Sequence, residues 1–97
     1  MSQRPDNVGR MARMETLLTQ ALSPTALEIT DDSHLHVGHA GARSGRGHFS
    51  LRIRSAAFEG LSAVRRHQAV YAALGDMMQT DIHALAIDAD TPDPQAP

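Results

Sequence analysis

The sequence predicts an α+β domain with the element order αββααβ, in which the helices cover one face of a three-stranded mixed sheet. Two observations lead to this prediction. Apolar residues recur at helical spacing in residues 11–22 and 62–78, and three shorter segments have the patterns of strands. A long helix separates the second strand from the third, and a right-handed crossover of that kind makes the two strands parallel.

The composition is typical of one small soluble domain. The chain has 97 residues, 41% of them hydrophobic, and a formal net charge of -2. It contains no cysteine, which excludes disulfides, a thiol nucleophile and a cysteine metal ligand from this chain. No apolar segment is long enough to span a bilayer, so we expect a cytoplasmic protein with no membrane contact. The domain is predicted at residues 8–91, between a flexible N-terminal arm (1–7) and a flexible C-terminal tail (92–97).

The first helix is predicted from its boundaries and from one apolar stripe. Asn7 can cap the start of the helix, and Ser23 followed by Pro24 ends it. The stripe recurs every three or four residues and consists of Met11, Met14, Leu18 and Leu22.

The next two segments alternate as half-buried strands do. In "ALEIT", Leu27 and Ile29 lie on one side and polar residues on the other. In "HFSLRIRS", one side consists of Phe49, Leu51 and Ile53, and the opposite side of His48, Ser50, Arg52 and Arg54. The two strands are consecutive and are therefore expected to pair antiparallel.

The following segment returns to the helical period. Gly60 interrupts it, which predicts a short helical turn at residues 57–59 and a long helix at residues 62–78. This break resembles a helix-turn-helix. The next segment, "IHALAIDA", has little polar interruption, which predicts a strand at residues 83–88 that the helices cover. The predicted apolar stripe of the long helix consists of Val64, His67, Tyr71, Leu74 and Met78.

Four of the six histidines lie in or next to the connection between the first two strands, "DDSHLHVGHAGARSGRGHF". The second and third strands, being parallel, begin at the same end of the sheet, so His83 is expected beside this connection. The topology thus predicts a site made of His83 and the loop histidines. Closely spaced histidines in a glycine-rich loop are only a weak metal pattern. These loop histidines are His34, His36, His39 and His48.

Three segments carry a resemblance to a known family. "DDSHLHVGH", "HFSLRIRSAAFEGLSAVRRHQAVYAAL" and "IHALAI", in this order and spacing, resemble the BolA family over nearly the whole chain. Gln68 departs from the family pattern, in which many members carry a second arginine. The resemblance implies a fold similar to class II KH domains. The I-H-A-L element is met by residues 82–85, and the F-x-G-x(5)-R-H element by Phe58, Gly60, Arg66 and His67.

The resemblance also implies a partner and a cofactor. BolA-like proteins are partners of monothiol glutaredoxins of the CGFS type, and a 2Fe-2S cluster bridges the two proteins. The glutaredoxin's cysteine, a glutathione thiolate and two residues of the BolA-like chain hold this cluster. His83 matches the family's ligand at the start of the last strand. The second ligand matches His36 first and His39 next, with His48 as the third choice.

Nucleic-acid binding is the alternative function, because the family also includes transcriptional regulators. The helix-turn-helix-like region at residues 58–67 would then contact DNA. The negative net charge, Gln68 and the lack of a G-x-x-G loop where the helices meet argue against this alternative. The cations available for it are Arg52, Arg54, Arg65 and Arg66.

An enzyme is the third class and has the least support. The sequence has no nucleophile–base pair, no glycine-rich phosphate loop before a helix and no paired-carboxylate motif, so we predict a non-enzymatic protein. His67 lies on the stripe of the long helix and is interpreted as a structural histidine. In isolation, the chain is expected to be a monomer or a weak homodimer.

Overall fold

The computed structural model describes residues 7–33 and 47–92, which form the predicted α+β architecture with one additional helix break. None of the helices in these two ranges is long and apolar enough to cross a membrane. In chain order, the elements are helix α1 (Asn7–Leu22), strands β1 (Ala26–Asp31) and β2 (Gly47–Arg54), a 3₁₀ turn (Ala56–Phe58), helices α2 (Ala63–Leu74) and α3 (Met77–Thr80), and strand β3 (Ile82–Asp90).

The sheet has the strand order β1-β2-β3. β1 and β2 pair antiparallel, with Ile29 opposite Leu51, as the alternating patterns predict. β2 and β3 pair parallel, with Leu51 next to Ile87. The mixed sheet and the parallel crossover are therefore confirmed.

The core lies between the helices and one face of the sheet. α1 contacts β1, α2 contacts β3, and the two helices contact each other. Met14 and Leu18 of α1 are fully buried, which confirms the stripe predicted for this helix. The other buried apolar side chains of the described residues are Phe49, Leu51, Ile53, Phe58, Val70, Leu74, Met77 and Ile82.

The prediction of one long helix at residues 62–78 was wrong. α2 ends at Leu74, and Gly75 follows with φ 57° and ψ -130°, a conformation that a residue with a side chain adopts only with strain. The Gly75 N–H donates to the Tyr71 carbonyl at 3.0 Å, which closes the last turn of α2. A second, four-residue helix, α3, then leads into β3.

The stripe predicted for the long helix was only partly right: Leu74 is buried and Met78 packs against the core, but two other members are exposed. Val64 and Tyr71 are 66% and 41% exposed, whereas Val70 is fully buried although it lies outside the predicted stripe. The true inner face includes Ala69 and Ala73, which pack partly against the core. Alanine packs against a core but contributes little to an apolar pattern. The larger apolar side chains dominated the pattern, and two of them were assigned to the buried face although they are exposed.

The third strand was predicted at residues 83–88 with cover from the helices, but it runs from Ile82 to Asp90 and only one of its faces is covered. Leu85 and Ile87 pack against the core, and they alternate with the exposed Ala84 and Ala86. Because alanine occurs on both surfaces and interiors, these two exposed alanines concealed the alternation.

The helix-turn-helix interpretation of residues 58–67 does not fit the geometry. The first element is a single 3₁₀ turn of three residues, which the Ser55 hydroxyl caps by accepting the Ala57 N–H at 3.0 Å. Phe58 ends this turn and is fully buried. Gly60 follows with φ 77°, and Ser62 caps α2. A three-residue turn with a buried aromatic side chain anchors the connection to the core and is too short to be the first helix of such a motif.

Candidate functional site

The starts of β2 and β3 bring two histidines together. The Gly47 N–H donates to the Asp81 carbonyl at 2.8 Å, which joins the two parallel strands where each begins. His48 follows Gly47 directly, and His83 lies two residues after Asp81. The imidazole rings of His48 and His83 have centroids 5.0 Å apart and are inclined by 49°. The proximity that the topology predicted for His83 is therefore confirmed for His48.

A β-bulge places His83 beside this partner. Gly47 is in register with Ile82, but His48 is in register with Ala84, so His83 is the extra residue of β3. Ile82 is fully buried and Leu85 also packs against the core, although residues three apart in a regular strand point to opposite faces. The bulge resolves this conflict and leaves His83 exposed at the strand start.

Hydrogen bonds of its backbone hold His48 in place, and the residue is almost completely buried. Its N–H donates to the Ser33 hydroxyl at 3.1 Å, and its carbonyl accepts the Asp32 N–H at 2.7 Å. The side chain is only 5% exposed, although strand alternation places it on the sheet face that the helices do not cover. One ring of the pair is thus buried and fixed, and the other is accessible.

The distance between the two rings is one that a shared metal ion would give, but both ring nitrogens of His48 are buried. Two imidazoles that bind one tetrahedral metal ion at about 2.0–2.1 Å have centroids about 5 Å apart, close to the value observed here. Within residues 7–33 and 47–92, no group of three or more potential metal ligands comes together. His34, His36 and His39 lie outside the described residues.

A polar network connects the start of α1 to both strand starts. Arg10 Nε donates to Asp81 Oδ2 at 3.2 Å, and Arg10 Nη1 donates to Asn7 Oδ1 at 3.0 Å. Asn7 Nδ2 donates in turn to Asp31 Oδ2 and to Ser33 Oγ, both at 3.1 Å. A hydrogen bond from the Thr80 hydroxyl, and then the contact with Arg10, hold the pKa of Asp81 below its usual value. This network was not predictable from the sequence, because the bonds that join α1 to the two strand starts connect residues 24 to 71 positions apart.

The strand arginines share the outer sheet face as predicted, but acidic residues lie among them. Arg54 is 9% exposed, and its two terminal nitrogens bind the Asp88 carboxylate at 3.2 and 3.3 Å. Arg52 is half-buried and lies in register between Glu28 and Asp88. The outer face of the sheet is therefore close to charge-neutral.

The two helix arginines differ from each other. Arg66 Nη1 donates to Asp90 Oδ1 at 2.7 Å, so its charge is also paired. Arg65 is exposed at the start of α2, and its backbone N–H donates to the Ser62 hydroxyl. The four proposed cations do not form one uncompensated basic surface.

Comparisons with known proteins agree with this architecture. The family model described as BolA-like protein matches residues 18–94. The chain belongs to the BolA family. It is 43% identical over 88 residues to the SufE-like protein 1, chloroplastic/mitochondrial, of Arabidopsis thaliana. The solved BolA domain of that SufE1 superposes with a TM-score of 0.76 at 43% identity, covering 86% of this chain and 92% of the domain.

Two further relatives of this BolA-like chain have different names. Protein BOLA1, chloroplastic, of Arabidopsis thaliana is 41% identical over 86 residues, and the match covers 86% of this chain. The DNA-binding transcriptional regulator BolA of Haemophilus influenzae is 36% identical over 80 residues, covering 82% of this chain and 75% of that protein. The chain spans only 24% of SufE-like protein 1 and 54% of BOLA1.

The family-motif residues of the BolA-like chain have separate roles in the structure. Phe58 is a core residue, and Gly60 has the positive φ that its turn requires. His67 is half-buried on α2, one turn before the buried Val70 and on the same face of that helix. The I-H-A-L element contributes one core residue, Ile82, and the exposed His83. The motif is thus mostly structural, with His83 as its accessible imidazole.

Proposed function

We propose that this BolA-like chain is a non-enzymatic partner of a CGFS-type monothiol glutaredoxin and supplies histidine ligands to a shared 2Fe-2S cluster. The observation that supports the proposal is the His48–His83 pair, 5.0 Å between centroids at the start of two parallel strands. Because the chain has no cysteine, the thiolates for such a cluster must come from the glutaredoxin and from glutathione. The output would be iron–sulfur assembly, delivery or iron regulation.

His83 is the proposed first ligand, since it is exposed and a bulge holds it at the strand start. The second ligand is His36 or His39, which lie outside the described residues, or His48, which lies next to His83. When bound, the cluster would supply one-electron chemistry or a transferable iron–sulfur unit. Imidazole in place of thiolate on one iron removes negative charge, which raises the reduction potential of the cluster.

The test is reconstitution of the cluster. The chain is mixed with a CGFS-type glutaredoxin, iron, sulfide and glutathione, and the absorption and circular dichroism spectra are compared with those of each protein alone. We expect a coloured heterodimer whose spectrum differs from that of the glutaredoxin alone, and no stable cluster on this chain alone. A chain that holds a 2Fe-2S cluster without the glutaredoxin contradicts the shared-ligand proposal.

DNA binding is the second candidate, and the name of the Haemophilus influenzae relative favours it. The exposed Arg65 is the cation best placed for a phosphate contact. The ion pairs of Arg54 and Arg66 argue against DNA binding. An arginine that stays paired has no net charge to offer a phosphate, and one that binds the phosphate must first lose its carboxylate partner.

The proposed location is the cytoplasm. The names of the two Arabidopsis relatives place those proteins in chloroplasts or mitochondria, so the location of this chain has to be measured. Immunodetection in fractionated source cells tests it, and sedimentation of the purified chain distinguishes a monomer from a weak homodimer.

A further inference from the structure

We propose that Asn7 and Arg10, in the first turns of α1, are positioning residues for the His48–His83 pair. They touch neither imidazole in the described contacts, but they connect the backbone segments that carry both. The inference rests on the proposed function where it concerns the cluster. Its structural part, that this helix start sets the geometry of the two rings, is testable on the chain alone.

The first connection leads from Arg10 to His83. The guanidinium binds the Asp81 carboxylate at 3.2 Å, with the two side chains 16% and 23% exposed. The carbonyl of the same Asp81 accepts the Gly47 N–H at 2.8 Å, so this residue joins α1 to β2 and β3. Asp81 lies two residues before His83, and the bulge lies between them and the regular part of the strand. Arg10 thus anchors the chain segment from which His83 projects.

The second connection leads from Arg10 through Asn7 to His48. The Asn7 side chain accepts from Arg10 and donates to the Asp31 carboxylate and to the Ser33 hydroxyl. That hydroxyl accepts the His48 N–H at 3.1 Å. A hydrogen bond from the Ser33 N–H to Asp31 Oδ1, at 2.9 Å, fixes the turn at the end of β1. The network therefore reaches both histidines from one helix start.

The close approach of α1 to β2 supports the same inference. A Cβ added to Gly47 would lie 2.4 Å from the Phe49 ring and 3.0 Å from Asn7 Oδ1, so a side chain at this position would collide. Glycine at the start of β2 allows the helix start to lie directly against the strand that carries His48. This contact leaves little freedom for the helix start to move independently of the strand.

The hydrogen bonds of Asn7 and Arg10 stabilise an end of the sheet that would otherwise be mobile. Strand ends fray more readily than strand centres, and a bulge weakens the pairing further. The residues around a metal site must hold its ligands within about 0.5 Å of their productive geometry. The opposite end of β3 has its own ion pair, Arg66 with Asp90, and carries neither ring of the His48–His83 pair. The Arg66–Asp90 pair therefore provides a control, because it is also an ion pair between a helix and β3.

The experiment compares four variants of the chain. Arg10→Gln removes the hydrogen bonds that the guanidinium donates to Asp81 and Asn7. Arg10→Lys keeps the positive charge but has only one nitrogen to donate to these two partners. Arg13→Gln makes the same charge change on the same helix at an exposed residue, which acts on Asp81 through its charge and has no hydrogen bond in the described contacts, so it separates the loss of charge from the loss of hydrogen bonds. Asp90→Asn breaks the ion pair at the far end of β3. Thermal unfolding records the loss of stability of each variant.

The first measurement is a nitrogen–proton NMR correlation of the histidine rings in the isolated chain at pH 7.5. Arg10→Gln should shift the His48 and His83 ring signals, and Arg10→Lys should shift them less. Arg13→Gln and Asp90→Asn should leave them in place, even where Asp90→Asn lowers the unfolding temperature as much as Arg10→Gln does. Unchanged ring signals in Arg10→Gln, or equal shifts in Asp90→Asn, overturn the inference.

The second measurement is cluster retention in the heterodimer with the glutaredoxin. Arg10→Gln should shorten retention by less than the roughly 10-fold to 100-fold that follows when a direct hydrogen-bond partner of a metal ligand is lost, because Arg10 acts through Asp81, while Arg13→Gln should retain the cluster as wild type does. If wild type forms no cluster although Arg10→Gln shifts both ring signals, the proposed function fails and the positioning role stands. If wild type forms the cluster and Arg10→Gln retains it fully with unmoved rings, the positioning role fails alone.

Discussion

Arg54 binds the carboxylate of Asp88 through both of its terminal nitrogens, at 3.2 and 3.3 Å, on the sheet face that the helices do not cover. A paired, 9% exposed arginine cannot contribute its full charge to a phosphate backbone. Arg66 is paired with Asp90 through one nitrogen, at 2.7 Å. Two of the four arginines considered for DNA, Arg54 and Arg66, therefore hold strand β3 in place.

We expect DNA binding to be weak, with a low salt dependence. Four arginines on phosphates would give a slope of log affinity against log salt of about -3.6, and Arg65 alone about -0.9. Gel-shift titrations at several salt concentrations measure this slope. The matched variants are Arg65→Glu, which should abolish the residual binding, and Arg52→Glu, which should change it little. A wild-type slope near -3.6 that becomes less steep in Arg52→Glu contradicts the prediction.

His83→Ala and His67→Ala should fail in different ways. Removing the His83 ring should abolish the cluster of the heterodimer or change its spectrum, with little loss of stability because this side chain is exposed. His67→Ala should lower the free energy of unfolding by about 1–3 kcal/mol and leave the spectrum intact, since it removes a half-buried helix residue. Cluster spectra and denaturant unfolding of both variants give the comparison. The reverse pattern would mean that ligand and structural histidine are exchanged.

The stripe of α1 and the pairing of the strands were predictable, and the features that depend on exact register and on side-chain contacts across the fold were not. Met14 and Leu18 sit on an unambiguous helical stripe, and the topology alone placed His83 near the start of β2. The bulge at His83 was not predictable, because it exists only through the register with His48. The same holds for the bond between Arg10 and Asp81, residues far apart in sequence whose types suggest an ordinary exposed ion pair. The predicted topology thus brought His83 close to the start of β2, and tertiary contacts determined the geometry of the two rings.

Gly75→Ala should destabilise the domain by about 1–3 kcal/mol through backbone strain alone. An added Cβ meets no atom within 4 Å, so φ 57° with ψ -130° is the only obstacle. Asparagine tolerates the left-handed helical region, but this ψ lies outside that region, so Gly75→Asn should be no better than Gly75→Ala. Denaturant unfolding of the two variants measures the difference. A clear recovery in Gly75→Asn would show that the turn relaxes to a left-handed helical conformation.

Acid should destabilise the fold in part through Asp81. The Thr80 hydroxyl, and then Arg10, hold the pKa of this carboxyl below its usual value of 3.8. A carboxyl with a lowered pKa in the folded state contributes stability that is present above pH 3.8 and is lost as the pH falls through the folded-state pKa. The difference in unfolding free energy between wild type and Asp81→Asn should therefore narrow below pH 4. A difference that stays constant from pH 7 to pH 3 contradicts this role of the Asp81 charge.

The last prediction concerns the second ligand. If His36 and His39 alternate as ligands, each single alanine variant should lose the cluster only in part, and the double variant should behave as His83→Ala does. If His48 is the ligand, His48→Ala alone should match His83→Ala while the loop double variant keeps the cluster. His48 is 5% exposed, so its removal should also cost about 1–3 kcal/mol of stability, which makes retention per folded heterodimer the quantity to compare. Both ring nitrogens of His48 are buried, so the ring must turn outward to act as a ligand, whereas a supporting role leaves it in place. Full retention in His48→Ala together with full retention in the loop double variant would exclude every second ligand that we propose.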